Sequence, residues 1–570
     1  MIHPFFSELR ARSPRSAQVK TGSRRIGAIW LLAILLVLAG NASAQTAQWV
    51  NQMGTGGISN GVSSDAAGNA YATGIVSNPG LFENIVIPCQ VSDVFLTKYD
   101  TSGNLLWATL GGGDLLDQAN DIATDASGTS YVAGAIQTNS LHPTAQFGNV
   151  TLTGKGDYDW LLVKYDPAGN VVWAKNGGST AGDIAYGVGL DGAGNVYVTG
   201  HFSGTMVVDG VTVTSSGLFD IFLAKYSPDG LLIWLKRAGG TGSDIPHGLR
   251  VDGLGNVAIV GEFQNTGIFG THSVRASGLN DAFIAKYDPA GNNVWVHSGG
   301  STTSFAGDPA KEVGVDGANN FYVTGDYTGT ATFDGLSVVN SGTSGSDIFV
   351  AKYDNSGAIQ WLHHAGGPVS DKGYSIGVDQ SGNSWVSGFA GSGPGVVFDT
   401  ISLPPLGNEY IFLAKYDPNG VVQYVKQYAA GTGQDIHVLN NGCLYLNGGA
   451  SKGSGNEFDN VSLVYVDRGG FICQFCETID PGCEPPTGIT ASNITSSSAT
   501  IRWAPVTGAA SYSLQYRKLG TNRWKTKPVR GTSAKLNRLS PATSYEYQVA
   551  TVCSTETSPY SDIQVFATTP

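Results

Sequence analysis

DIFLAKYSPDGLLIW, residues 220–234, is one of six near-copies of the same phrase in this chain. Each copy is an alternating apolar run, a turn with Asp or Ser at its start and Gly three residues later, and a second run that ends in Trp or Tyr. Asp opens such a turn and Gly takes its left-handed position, so each phrase predicts an antiparallel hairpin. A hairpin that recurs this often predicts a repeated structural unit. The other copies occupy residues 93–107, 159–173, 281–295, 347–361 and 409–424.

A second repeated phrase, such as GLDGAGNVYVTG at 189–200, precedes each copy of the first. It also predicts a hairpin, so each unit should contain four antiparallel strands. A variable patch lies between the two phrases, as at 207–217, and predicts an extra outer hairpin. A weaker copy at 438–448 raises the number of units to seven, each about sixty residues long. The turn Asp residues that set the spacing are Asp65, Asp125, Asp191, Asp252, Asp316 and Asp379.

Seven complete four-stranded units favour radial repetition, and we expect an all-β chain with a seven-bladed β-propeller over residues 45–475. Residues 47–57 match only the last strand of a unit, and the seventh unit is short. The N-terminal strand should therefore complete blade seven and bury Trp49. A disulfide among three cysteines of this blade would fix it further. Those candidates are Cys443, Cys473 and Cys476, and the aromatic residues expected to fill the gaps between blades are Trp107, Trp173, Trp234, Trp295, Trp361 and Tyr424.

The two phrases, D-x-F-x-A-K-Y-D-x-x-G-x-x-x-W and V-D-x-x-G-N-x-Y-V-x-G, resemble the bacterial β-propeller repeat family often abbreviated SBBP. The resemblance covers roughly residues 47–475. It implies the propeller fold. It implies no particular activity, because that family has no common assigned function.

Composition changes in a Pro-rich linker at 476–484. Beyond the linker, short alternating runs and the pattern LSPATSYEY at 539–547 resemble a fibronectin type III domain over 485–570. The resemblance implies that Trp503 and Tyr545 are packing residues. Cys483 and Cys553 should lie at the same pole of this β-sandwich, and they form the expected disulfide pair.

The N-terminus predicts export. Residues 1–44 carry basic residues, an apolar run and the small-residue motif ASA, which is typical of a cleaved signal peptide. After cleavage no span of the membrane is expected. We predict a secreted, cell-surface or periplasmic protein, in a compartment where its six cysteines can form disulfides.

One acidic residue recurs eight positions before the turn Asp of its unit, in the connection that enters the first strand. A side chain there is expected to cap the backbone N–H groups of its own turn. The alternative is a ring of cation ligands, with Ca²⁺ as the possible ion. No other cofactor is predicted. This Asp ladder comprises Asp117, Asp183, Asp244, Asp308 and Asp371, with Asp435 assigned to the last unit.

Charge is distributed unevenly along the chain, whose formal net charge is −12. In 485–570, nine Lys and Arg face three Asp and Glu, so an acidic propeller precedes a basic domain. The acidic surface argues against nucleic-acid binding. Arg523, Lys525 and Lys527 alternate and should share one strand face, with Trp524 pointing to the core. That basic face is either solvated surface, a dock for the propeller or a site for an anionic polysaccharide.

No catalytic motif is present, so we predict an exported, non-catalytic scaffold that binds a protein or a polysaccharide. The alternative is a propeller enzyme that acts on carbohydrate, as hydrolase or lyase. A catalytic site would gather residues that break the repeat in two or three blades. The least repetitive segments are 246–248 and 305–312.

Overall fold

A computed structural model describes residues 45–570 of the 570-residue chain, with short gaps. The described part of the chain is all-β, as predicted, and contains forty-nine strands and no α-helix. Within these residues, no helix is long and apolar enough to span a membrane. The gaps are 78, 84, 90, 304–306, 343–344, 394, 406–408, 451–456, 460, 463–468, 478–484, 507–508, 522, 554–557, 559 and 562.

Strand β1 (Gln45–Thr55) precedes seven repeat units. The first three units comprise β2 (Ile58–Ser64), β3 (Ala70–Ser77), β4 (Gly80–Phe82), β5 (Ile85–Ile87), β6 (Ser92–Tyr99), β7 (Leu105–Gly113); β8 (Gln118–Thr124), β9 (Ser130–Gln137), β10 (Thr144–Phe147), β11 (Val150–Thr153), β12 (Tyr158–Tyr165), β13 (Val171–Gly177); and β14 (Ile184–Leu190), β15 (Val196–Phe202), β16 (Thr205–Val208), β17 (Val211–Thr214), β18 (Asp220–Tyr226), β19 (Leu232–Gly239).

The next three units comprise β20 (Ile245–Val251), β21 (Val257–Phe263), β22 (Thr266–Phe269), β23 (His272–Arg275), β24 (Asp281–Tyr287), β25 (Asn293–Ser301); β26 (Ala310–Val315), β27 (Phe321–Tyr327), β28 (Thr330–Phe333), β29 (Leu336–Val339), β30 (Asp347–Tyr353), β31 (Ile359–Gly366); and β32 (Lys372–Val378), β33 (Ser384–Ala390), β34 (Val397–Phe398), β35 (Ile401–Ser402), β36 (Tyr410–Tyr416), β37 (Val422–Gln427). The seventh comprises β38 (Gly431–Val438), β39 (Cys443–Ala450), β40 (Glu457–Phe458), β41 (Val461–Ser462) and β42 (Gly469–Glu477).

The four long strands of each of the first six units form one antiparallel sheet, in the order first, second, fifth, sixth. The variable patch forms the expected short hairpin. In four of the first six units, this hairpin adds to the last strand of the preceding unit, as in β14-β15-β18-β19-β22-β23. The short hairpin of the first unit likewise pairs with β1. Sheets of consecutive units are therefore linked by backbone hydrogen bonds.

The seventh unit takes its last long strand from the start of the chain. Its sheet has the order β38-β39-β42-β1-β4-β5, and β1 pairs with β42 along almost its whole length. Although the seventh unit is short, its third long strand is complete, because β42 is nine residues long. A disulfide joins Cys443 to Cys476 and confirms the predicted bond in this unit, while Cys473 is a buried free thiol.

The repeated phrase owes its Trp and Gly to contacts between neighbouring units. Each Trp at the end of the phrase covers the left-handed Gly in the turn of the following copy. A side chain at Gly169, for example, would meet the ring of Trp107 at 3.0 Å. Trp49 of β1 makes the same contact with Gly103, and it is half-buried rather than buried because it covers an exposed turn. The remaining pairs are Trp173–Gly230, Trp234–Gly291, Trp295–Gly357 and Trp361–Gly420.

In four of the six copies, two donors of the phrase also reach a carbonyl group of the next turn. Lys164 Nζ and Trp173 Nε1 both donate to Pro228 O, at 2.8 and 3.3 Å. The pair Lys352 and Trp361 repeats this at Pro418 O, in the turn of the next unit. Apolar clusters lie between the sheets as well, each combining strands of consecutive units. The Trp, Lys and Gly of the phrase thus recur along the chain because every unit packs on the next one.

The first strands of the units form a continuous series. β2 contacts β8, and contacts follow between β8 and β14, β14 and β20, β20 and β26, β26 and β32, and β32 and β38. Strand β38 in turn contacts β2. The side chains of these seven strands therefore face a shared region.

The C-terminal domain has two sheets, in the orders β43-β44-β47 and β46-β45-β48-β49. Trp503 and Tyr545 lie in its core, and the backbone N–H of Ser540 donates to the Tyr545 hydroxyl at 2.8 Å. Cys553 is disulfide-bonded, but Cys483 lies outside the described residues, so their pairing stays a prediction. The strands are β43 (Thr490–Ser492), β44 (Ser498–Arg502), β45 (Ser511–Lys518), β46 (Lys525–Val529), β47 (Ser533–Asn537), β48 (Ser544–Val552) and β49 (Gln564–Ala567).

Candidate functional site

The first strand of every unit carries a β-bulge at the same place, five residues before the position of the turn Asp. One residue at each bulge has no partner in the second strand, and its half-buried side chain is redirected. These seven positions hold five residue types, so the bulge is where the units differ most in chemistry. The bulge residues are Asn60, Asn120, Tyr186, His247, Lys311, Tyr374 and Gln434.

All seven bulge residues line one cavity of about 210 Å³, together with three carboxyl groups. We call it the bulge cavity. Asn60 and Asn120 each donate to the backbone of the next unit, at 2.8 Å in both cases, which fixes their amides in the wall. Drug-sized ligands use pockets of about 300–1,000 Å³, so this cavity suits a small ligand or one end of a longer ligand.

Next to the bulges, the second strands of units three to six carry large polar or aromatic side chains where the other units carry Ile75, Ala135 and Gly449. The three polar residues among them form a continuous set with two bulge residues and Lys372 across units three to six. We call this set the polar arc. This is the only stretch of the described inner strands with two His, two Lys and two carboxyl groups side by side. The polar arc comprises His201, His247, Glu262, Lys311, Asp326 and Lys372.

Donors and acceptors alternate along the polar arc. His247 Nε2 lies 3.5 Å from Glu262 Oε1 and 3.5 Å from Lys311 Nζ. Lys372 Nζ lies 3.7 Å from Asp326 Oδ2. Burial lowers the pKa of His247, and it lowers the pKa of His201 to about 4, so both rings are neutral at pH 7. The two Lys charges then balance the two carboxylates.

Below the bulges, one guanidinium faces three carboxyl groups. Arg250 lies 3.7 Å from Glu312 and 3.8 Å from Asp435. Burial raises the pKa of Asp121 to about 7 and that of Glu312 to about 8, although Arg250 opposes both shifts. One positive charge thus cannot keep all three carboxyl groups ionised. Gly248 leaves room for this cluster, because a side chain there would meet Glu312.

The structure corrects the assignment of Asp435 to the Asp ladder. Asp435 lies on β38, four residues before the turn position instead of eight, and corresponds to Asp121 and Glu312 in their units. Its carboxylate accepts from the backbone N–H of Val62 at 2.9 Å and from Ser375 Oγ at 3.1 Å. It joins neighbouring first strands. The last unit was misaligned because its turn has Leu439 where the other units have Asp.

The other five members of the Asp ladder occupy equivalent positions and accept backbone hydrogen bonds. Asp183 is typical: its carboxylate accepts from the N–H groups of Ser179 and Ser203, the second at 2.9 Å. This matches the capping interpretation. Among the described residues, no group of three or more His, Cys, Asp or Glu could hold a metal ion. The same geometry holds for Asp117, Asp244, Asp308 and Asp371.

Each ladder carboxylate in units two, three, four and six has a second buried Asp beside it. Asp159 faces Asp183 across Gly178, since a side chain at this Gly would meet Oδ1 of the first and Oδ2 of the second. Asp159 is fully buried and its Oδ1 has no hydrogen-bond partner among the described atoms. Burial raises the pKa of Asp183 to about 6, with a further contribution from Asp159.

We expect Asp159→Asn to raise the melting temperature at pH 8 by a few degrees. Oδ2 of Asp159 accepts from the N–H of Lys155, a role that the Asn oxygen can keep, while the amide nitrogen would donate to Asp183. A hydrogen bond to a charged group contributes about 1.5–3 kcal/mol. The raised pKa means that the native protein gains stability as pH falls through 6 and loses it as pH rises. The difference in melting temperature between the variant and the parent should therefore shrink towards pH 5, as measured by calorimetry.

Asp229→Asn, at an exposed position, is the control and should leave the melting temperature unchanged at both pH values. A chelator should also have no effect on the unsubstituted protein if the ladder only caps backbone groups. A variant less stable than the parent at pH 8 would contradict the paired-carboxyl interpretation. A large drop with chelator would favour Ca²⁺ at the ladder.

The basic face of the C-terminal domain differs from expectation. Trp524 is not in the core; its ring lies 4.2 Å from the Arg517 guanidinium, on the outer face of the sheet. Lys525 and Lys527 share a face, but they pair with Tyr516 and Leu514, whose side chains pack inward. Lys527 Nζ donates to a backbone carbonyl of the opposite sheet at 2.7 Å.

Because β46 is an edge strand, its inward-facing Lys side chains extend past the core to solvent. Arg523 precedes the strand and is exposed. The three residues therefore do not form one outward face. Binding of a polyanion or of the repeat region by Arg523, Lys525 and Lys527 stays a prediction.

The least repetitive segments do meet at the candidate site. His247 lies in 246–248, and Lys311 and Glu312 lie in 305–312, and all three line the bulge cavity. Tyr186, Glu262 and Asp326 were not expected there. An alignment of the seven units would have revealed them, because other units have a different residue type at each of these positions.

A family model for the fibronectin type III domain matches residues 484–565, so this domain is confirmed. Similar solved structures include the fn3 domain of human contactin 1, with 26% identity, 15% of this chain and 77% of that chain covered, and a TM-score of 0.15. An FN3 domain of human collagen XX has 23% identity, covers 15% of this chain and 91% of that chain, and has a TM-score of 0.14.

Two curated proteins resemble the chain over longer stretches. An uncharacterized WD repeat-containing protein, L264, of Acanthamoeba polyphaga mimivirus is 23% identical over 402 residues, 56% of this chain and 29% of that protein. The regulatory protein FlaEY of Caulobacter vibrioides is 26% identical over 219 residues, 35% of this chain and 22% of that protein. The chain thus spans less than a third of either relative. The similarity to bacterial β-propeller repeats stays a prediction.

Proposed function

We propose that residues 45–475 form a seven-bladed β-propeller that acts as a non-catalytic binding scaffold, and that its ligand is a neutral glycan held in the bulge cavity. The fibronectin type III domain is consistent with a binding role for the whole chain. The Cys443–Cys476 disulfide is compatible with export, and we propose that the mature protein works outside the cytoplasm.

The propeller is supported by three independent contacts. The first strands of the seven units contact one another in sequence, and the last of them contacts the first. Trp49 covers Gly103 as the other Trp residues cover the next turn. Strand β1 supplies the fourth strand of the seventh sheet. Radial repetition explains all three, because it gives every unit two neighbours.

The observation that carries the binding proposal is the clustering of residues that break the repeat. Packing alone would favour the same residue at each equivalent position, as at the docking Trp. Instead, the bulge positions of the seven units hold five residue types, and all seven side chains line one cavity. Convergent polar groups in a concave site are typical of ligand binding.

A neutral, hydroxyl-rich ligand suits the chemistry of this cavity. The charges of the polar arc balance, so neither a strongly acidic nor a strongly basic ligand is favoured. The Tyr186 and Tyr374 rings offer amphipathic surfaces, and Asn60, Asn120 and Gln434 provide both donors and acceptors. A sugar presents apolar ring faces and a rim of hydroxyl groups, which matches this combination.

A second candidate function, a hydrolase of glycans, is favoured by one observation. Glu262 and Asp326 both line a second cavity, distinct from the bulge cavity. Burial alone would raise the pKa of Glu262, but hydrogen bonds with His247 and Asn280 lower it to about 2, whereas burial raises the pKa of Asp326. Two carboxyl groups with opposite shifts are typical of a base and acid pair.

The test is a glycan array with protein 45–570 and its His247→Ala and Tyr186→Ala variants. We expect the parent to bind a defined glycan and each variant to bind at least about tenfold more weakly, a loss of about 1.4 kcal/mol. Lys175→Ala, on the fourth strand of unit two, is the control. Unchanged binding by both variants, or no bound glycan, would contradict the proposal. Release of reducing ends from the bound glycan, lost in Glu262→Gln, would favour the hydrolase.

A further inference from the structure

A second cavity of about 360 Å³ adjoins the bulge cavity. Strand β32 contributes to both: Lys372 lines the second cavity, and Tyr374, two residues further along, lines the first. Pro309, just before β26, and Lys311 are related in the same way in the neighbouring unit. Residues two apart in sequence thus line the two cavities, which places both within reach of one short ligand.

Most of the residues that line the second cavity carry polar side chains. Hydroxyl groups of Thr328, Ser346 and Ser370 line it together with the carboxyl groups of Glu262 and Asp326. No described Leu, Ile, Val, Phe, Trp or Met side chain is among its lining residues. An apolar side chain of a peptide would gain little there, whereas ligand hydroxyl groups would find several partners.

Asp326 supplies a specific need for a donor. Its side chain is 5% exposed, and Lys372 lies 3.7 Å from Oδ2. Oδ1 is buried and has no hydrogen-bond partner among the described atoms. A buried acceptor without a partner is unfavourable, so a ligand hydroxyl that donates to Oδ1 would gain affinity by satisfying it.

We propose that one ligand occupies both cavities and is therefore an oligosaccharide of at least two sugar units, with a hydroxyl group of one unit donating to Asp326. The inference rests on the proposed glycan binding and adds the length of the ligand and the role of the second cavity. Glu262 lies between the sugar positions: it pairs with His247 of the bulge cavity and lines the second cavity itself.

Calorimetric titration with malto-, cello- and chito-oligosaccharides of one to five units tests the inference on protein 45–570. We expect the affinity for one of these series to rise at least about tenfold between one and three units and then to level off. Ser370→Phe, which fills the second cavity, should abolish this gain. Asp326→Ala should weaken the binding of the longer sugars at least tenfold, and the exposed control Asp229→Ala should bind like the parent.

The outcomes separate the two proposals. Binding of a monosaccharide with no gain in affinity for longer chains would overturn the two-cavity inference and leave glycan binding intact. A length-dependent gain that survives in both Ser370→Phe and Asp326→Ala would also overturn it, because the extra units would then bind elsewhere. No binding of any glycan on the array or by titration would overturn both. Melting curves confirm that each variant is folded.

Discussion

Protein that begins at residue 58 should melt at least about 10 °C lower than protein 45–570, or fail to stay soluble. The deletion removes β1, which pairs with β42 over nearly its whole length and with β4 on its other side. Both strands would then present unpaired backbone groups, and an open strand edge promotes aggregation. Trp49 would also leave the turn at Gly103 uncovered. Scanning calorimetry and light scattering give the measurement.

Two single substitutions keep this prediction testable if the truncated protein does not fold. Trp49→Ala and Trp107→Ala remove equivalent rings, one from β1 and one from an internal unit. If β1 completes the seventh unit, the two variants should lose similar amounts of stability. A truncated chain with the melting temperature of the parent, or a Trp49→Ala variant without effect beside a destabilised Trp107→Ala variant, would refute completion by β1.

Gly169→Val should lower the free energy of unfolding by several kcal/mol. Gly169 has a φ of 86°, a conformation that costs a residue with a side chain about 1–2 kcal/mol. A side chain at this position would also meet the Trp107 ring at 3.0 Å, and overpacking of this kind adds about 1–3 kcal/mol. Urea unfolding of protein 45–570, followed by Trp fluorescence, measures the sum.

Gly210→Val separates the two costs. Gly210 has nearly the same φ, 85°, but nothing lies within 4 Å of a side chain built there. We expect it to lose only the conformational part. Equal losses in the two variants would mean that contact between Trp107 and the next turn contributes nothing, and the docking explanation of the repeated phrase would fail.

Features that recur in the sequence were predicted well. The all-β class, the extra short hairpins and the fibronectin type III domain followed from turn residues and alternation, which are local signals repeated many times. A disulfide among Cys443, Cys473 and Cys476 was predicted but not which two pair; the structure joins Cys443 and Cys476, which lie opposite each other on neighbouring strands. The role of the turn Gly in the repeated phrase was predicted only in part. Its left-handed φ follows from the turn type, but its contact with the Trp of the preceding unit does not.

The candidate site was harder to predict because it depends on small deviations. A bulge changes the direction of one side chain without changing the sequence pattern around it, so Tyr186 and His247 read as ordinary strand residues. Asp435 was misassigned because Leu439 hides the register of the last unit. Trp524 was expected in the core by strand alternation, but β46 begins one residue later, and the ring packs on Arg517 instead.

The bulge has a consequence for how new specificities can arise. Each unit supplies one bulge residue to the bulge cavity, while a different set of residues, the Trp, Lys and turn Gly, docks each unit on the next. The residues of the proposed binding site and the docking residues thus occupy separate positions of the same sixty residues. Exchange of a single bulge residue, such as Asn120 for the Tyr of the next unit, removes one hydrogen bond to the next unit but leaves every Trp–Gly contact intact. The ligand specificity of such a scaffold can change one unit at a time, by point mutation or by recombination of whole repeats.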